Sequence, residues 1–135
     1  MSRNVNVVIL CEDRQHSAFV RRLLKKSGVG VRDLRVEVSP KGRGSGEQFV
    51  RNQYLQELQF YRSRSHHVQQ ALIVMIDADG REVEDRIRQV ESGDGSDGEE
   101  ARKSDERVAI FVPARNIETW FAYLDGEDVN ESDTY

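Results

Sequence analysis

The stretch "ALIVMIDADG" at residues 71–80 decides how this chain is read. Its first six residues are apolar and partly β-branched, the pattern of a strand buried on both faces. The run stops at two carboxylates one residue apart, Asp77 and Asp79, and Gly80 follows. Asp and Gly end strands and open turns in their own right. Two negative charges aimed from a buried strand nevertheless need compensation, so their meaning depends on what else arrives at the same place.

Outward from this run, two kinds of segment alternate. "VNVVIL" at residues 5–10 and "VAIFVP" at 108–113 read as further buried strands. "VRDLRVEVS" at 31–39 alternates apolar and polar residues, as a strand near a sheet edge does. Between them lie amphipathic patterns. "HSAFVRRLLKKSG" places Phe19, Val20, Leu23 and Leu24 on one face and ends at Gly28. A longer pattern over 47–64 carries Phe49, Val50, Tyr54, Leu58 and Tyr61, and "REVEDRIRQVES" at 81–92 has a thin apolar side of Val83, Ile87 and Val90. "NIETWFAYL" at 116–124 reads as a closing helix capped by Asn116, with Trp120 and Phe121 packing it onto the sheet. The acidic stretch "GDGSDGEEARKSDE" reads as a mobile loop. The expectation is an α/β fold of three layers, α/β/α, around a mainly parallel four-stranded sheet, in residues 1–124, with a polar tail at 125–135.

Composition narrows the function classes. The chain has 135 residues, 37% hydrophobic and 33% charged, enough for one domain with a real core. No apolar run approaches the roughly 20 residues of a membrane span, and "MSRNVNVVILCED" does not read as a signal peptide, so a cytoplasmic location is expected. The single cysteine, Cys11, excludes an internal disulfide and a cysteine-based zinc site. Residues 1–90 carry 16 Lys and Arg against 11 Asp and Glu, whereas residues 91–135 carry 4 against 13. The basic part suits a phosphate-bearing partner, although solvated helix faces give a similar count.

In a parallel α/β sheet, ligands bind beyond the carboxyl ends of the strands. The first strand ends in Cys11, Glu12 and Asp13, the third in Asp77, Ala78 and Asp79. If those strands are neighbours, Glu12, Asp77 and Asp79 converge. Their mutual repulsion is relieved by a divalent cation, and Mg²⁺ takes hard oxygen ligands of this kind together with water and substrate phosphate.

A glutamate ending the first strand and an Asp-x-Asp after a later apolar strand resemble the Toprim domain of topoisomerases, primases and OLD-type nucleases. The closing "VPARNIETWFAYL" resembles the proline, glutamate and tryptophan signature of a stand-alone bacterial branch associated with ATPases in mobile-element defence. The resemblance implies a Toprim-like (Rossmann-like) fold, Mg²⁺ or Mn²⁺ as cofactor, phosphodiester chemistry on DNA or RNA, and an ATPase partner. It matches Glu12 to the family's first-strand glutamate, a metal ligand or general acid/base, and Asp77 and Asp79 to its metal ligands. Glu118 matches the late glutamate, which serves a second metal or supports the site. Asp13 departs from the pattern, because many relatives have glycine there.

Other residues frame this site. Lys41 and Arg43 lie in the Gly-rich "SPKGRGSGEQ", which reads either as a plain solvent loop or as a phosphate clamp whose Gly42, Gly44 and Gly46 let amides approach phosphates. Arg14 and Arg81 flank the acids and either bind substrate phosphate or merely neutralise the acids. His16 follows Glu12 by four residues and is a proton shuttle, a ligand-orienting group or a plain helix-start residue. His66 and His67 read as surface residues. Two other function classes fit in part. A receiver-like phosphoacceptor module also has an acidic pair after its first strand and an aspartate after its third, but no lysine-proline pair follows the last strand here. A catalytically inactive interaction module docking on an ATPase, alone or as a homo-oligomer, fits the small size and the charge asymmetry.

Overall fold

The computed structural model describes residues 4–28, 30–40, 46–64, 69–78, 80–92 and 105–113. Strands and helices alternate through all of them. They are β1 (Asn4–Cys11), α1 (Arg14–Ser27), β2 (Gly30–Val38), α2 (Gly46–Arg64), β3 (Gln70–Met75), α3 (Val83–Ser92) and β4 (Val108–Phe111). The four strands form one sheet in the order β2-β1-β3-β4, and every pairing is parallel. The expected α/β/α architecture is therefore present, with no antiparallel pairing among the described strands.

The apolar runs explain the layers. Along β1, Val7, Ile9 and Cys11 turn toward α1, where they pack with Phe19 and Val20. Leu10 turns the other way, toward Val50, Tyr54 and Leu58 of α2 and Val90 of α3. β3 alternates likewise, with Ile73 and Met75 on the α1 side and Leu72 and Val74 on the other. Period-two alternation with both sets buried is why neither strand shows a polar face in sequence. β2 is an edge strand, mostly exposed, with a register shift opposite Val5 and Asn6. Its charges and its irregularity blunt an edge open to pairing. One of those charges, Arg35, forks onto the Glu57 carboxylate of α2 at 2.9 and 2.7 Å, tying the edge to the helix layer.

This order places a switch point. The chain begins at β1, moves outward to β2, then crosses back to β3 on the other side of β1. Right-handed crossovers then put α1 on one face and α2 and α3 on the other. Where the direction reverses, the connections leaving β1 and β3 diverge and open a crevice at their carboxyl ends. The two ends are level, because Cys11 pairs with Met75. Glu12 follows directly, and Asp77 follows after Ile76.

No described helix is long and apolar enough to cross a membrane. The helix expected at 116–124, the acidic loop up to residue 104, His66 and His67 and the tail at 125–135 lie outside the described residues.

Candidate metal centre

Asp13 shapes the first half of the site. It is extended (φ −150°, ψ 176°) and caps α1, its Oδ1 accepting the His16 amide at 3.1 Å. An extended backbone does not require glycine, and a capping carboxylate stabilises a helix start by about 1 kcal/mol. A carboxylate at position 13 thus has a local reason. The tight entry into α1 brings His16, in the first turn, back over the end of β1. Its ring is fully buried, at 0% exposure.

Asp77 arrives from the other strand. Its backbone amide donates to Oε1 of Glu12 at 2.5 Å, and its Oδ1 lies 3.2 Å from Nε2 of His16. The chain beyond β3 stays anchored to the neighbouring strand, because the Ile76 and Ala78 amides donate to the carbonyls of Phe111 and Pro113. Glu12, His16 and Asp77 each offer one ligand atom within 4.8 Å of the others. The Asp77 side chain is 36% exposed, so the cluster opens to solvent there.

Arg86 of α3 supports this arrangement from beneath. It is 1% exposed. Its Nε donates to the Asp77 carbonyl at 2.8 Å and its Nη1 to Gln89 at 2.8 Å, with the Glu47 carboxylate 3.0 Å away. Glu47, in the first turn of α2, also accepts from Arg51 at 3.0 Å. Sequence reasoning missed Arg86. The signal was present: residues 83, 86, 87 and 90 share one helix face, so a charged residue stood in the middle of the thin apolar stripe.

Gly46 was also read differently. It starts α2 against β1, and a Cβ there would fall 2.8 Å from Cβ of Glu12 and 3.1 Å from its carbonyl oxygen. In the structure its lack of a side chain permits this close approach of helix to strand end. Gly46→Ala is expected to displace the α2 start and lower stability by about 1–3 kcal/mol, read from urea unfolding. Parent-like stability would show that the helix start yields freely.

The electrostatics reflect crowding. Burial, then the nearby Asp77 carboxylate, push the Glu12 carboxyl above its ordinary value, against the opposing Asp77 amide, His16 and Arg86. For His16, burial pulls downward, but the Asp77 hydrogen bond and the carboxylates of Asp13, Asp77 and Glu12 outweigh it and raise the imidazole. Burial pushes the Cys11 thiol up to about 12, which makes it an inert core group rather than a nucleophile.

The structure thus brings together Glu12, Asp77 and His16. Arg14 and Arg81 are exposed on the segments that leave β1 and β3. Asp79, Glu118, Lys41 and Arg43 lie outside the described residues. Two carboxylates and an imidazole from three segments are a donor set that a divalent ion fits. No protein-family model, curated protein or solved structure matches the chain.

Proposed function

We propose that this protein is a Toprim-like enzyme acting on nucleic-acid phosphodiesters with Mg²⁺ or Mn²⁺, in the cytoplasm, as the effector of a defence system that includes an ATPase. The observation that carries the reading is the meeting of Glu12 and Asp77 at the switch point of a parallel sheet, with the Asp77 amide 2.5 Å from the Glu12 carboxylate. Neither acid needs the other for strand termination, and their charges oppose each other there.

A divalent cation held by Glu12 and Asp77 would supply polarisation of the phosphate and activation of water. The chain's own residues do the rest. Glu12 and Asp77 hold the ion, joined by Asp79 and Glu118 if the resemblance extends to them. Arg86 fixes the Asp77 backbone through its carbonyl, so that the carboxylate faces outward. Arg14 and Arg81 engage the phosphate backbone, which positions a strand without reading its sequence.

The test is cleavage of supercoiled plasmid and of tRNA by the purified chain, with and without its ATPase partner. Cleavage is expected only with Mg²⁺ or Mn²⁺, and Asp77→Ala is expected to reduce it by about a thousandfold, within the span usual for loss of a positioned catalytic group. A variant that cuts as well as the parent removes the site assignment.

A further inference from the structure

The donor set at the strand ends is mixed. Glu12 and Asp77 offer hard oxygens, but His16 offers an imidazole nitrogen. Mg²⁺ strongly prefers oxygen and keeps much of its water, whereas first-row transition cations bind imidazole readily. The His16 ring is wholly buried, and its Nδ1 meets no acceptor among the described residues. Its polar outlet is Nε2, directed at Asp77 Oδ1 at 3.2 Å. Two ligands about 2.1 Å from one cation lie about 3.0 Å apart at an octahedral angle and about 3.4 Å at a tetrahedral one. The observed separation falls between these, so the two atoms are spaced as neighbours in one coordination shell.

We infer that His16 is a metal ligand through Nε2 and that the centre selects a first-row transition cation, with Mn²⁺ as the probe, over Mg²⁺. This rests on the metal-dependent reading proposed above and deepens it by naming the class of ion. Burial argues against the proton-shuttle role for His16. A ring with no exposed atom does not reach a substrate held outside the crevice, so it acts on the ion or on Asp77 alone.

The competing explanation is a structural hydrogen bond between His16 and Asp77, and metal binding separates the two. Mn²⁺ and Mg²⁺ are titrated separately into the parent chain, His16→Gln and Asp77→Asn, and Mn²⁺-loaded parent is examined by pulsed electron paramagnetic resonance for directly bound nitrogen. The expected results are nitrogen coupling in the parent and a loss of Mn²⁺ affinity of about tenfold or more in His16→Gln, with Mg²⁺ affinity held within about twofold because the oxygen ligands remain. Asp77→Asn weakens both ions. Absence of nitrogen coupling in the parent, or an unchanged preference between the ions in His16→Gln, overturns the inference. If His16→Gln does not fold, the parent's nitrogen signal decides. A parent that binds Mg²⁺ as well as Mn²⁺ and shows no nitrogen coupling sinks this inference and leaves the oxygen-ligated reading standing. A parent that binds neither ion sinks both.

Discussion

Arg86→Met is expected to lower the free energy of unfolding by about 3–5 kcal/mol, the usual result of removing one partner from a buried ionic network. The methionine fills much of the volume but donates nothing. The Asp77 carbonyl, now met by Arg86 at 2.8 Å, loses that donor, and Gln89 loses its partner as well. Glu47 keeps Arg51 and some solvent, which holds the loss nearer the lower bound. The measurement is urea unfolding, with a lower midpoint and an unchanged slope. Arg86→Lys sharpens the test. It keeps the charge but lacks the planar fork that reaches several acceptors at once, so its stability should fall between methionine and parent. If methionine stays within about 1 kcal/mol of the parent, Arg86 is a tolerated intrusion in the core and not the support of Asp77.

Glu12 separates a structural role from a chemical one. Glu12→Gln keeps an oxygen to accept the Asp77 amide, whereas Glu12→Ala leaves that amide without its acceptor. An unmade bond at a part-buried donor costs about 1–3 kcal/mol, so alanine should destabilise by that amount. Glutamine should be at least as stable as the parent in the absence of metal. The sign follows from the raised Glu12 carboxyl. A group held above its ordinary value binds its proton more tightly in the folded chain than in the unfolded one. At neutral pH its ionised form therefore detracts from stability. Both variants should lose metal-dependent cleavage, by about 10²–10⁴-fold. Activity retained in glutamine would mean that the charge of Glu12 is not needed, and the proposed chemistry would fall with it. A loss of stability in glutamine equal to that in alanine would mean that the carboxylate is there to hold the fold.

Much of the fold was legible because continuous apolar runs leave little choice. The runs at residues 5–10 and 71–76 read as strands buried on both sides, and their helical neighbours followed from spacing. The convergence of Glu12 with Asp77 was legible too, once those strands were taken as neighbours. What stayed hidden were contacts across long separations. His16 meets Asp77 over 61 residues, and the Asp77 amide meets Glu12 over 65. Periodicity tells which face a residue occupies and not which atom waits opposite. Arg86 was passed over because a charged residue in a thin stripe reads as solvated, although Val83 three positions before it and Val90 four after it are apolar. Gly46 was read for its freedom of backbone, when its smallness beside Glu12 is what the packing uses.

The reversal of strand order has a consequence for synthesis. When the ribosome has delivered β1, α1 and β2, the chain already holds Glu12 and His16 but has nothing to set between them. The third strand joins only after a second crossover, and pairing over such distances forms slowly. No nascent form that ends before β3 therefore carries the assembled cluster. Whatever chemistry it performs is withheld until the polypeptide has closed back upon its own beginning.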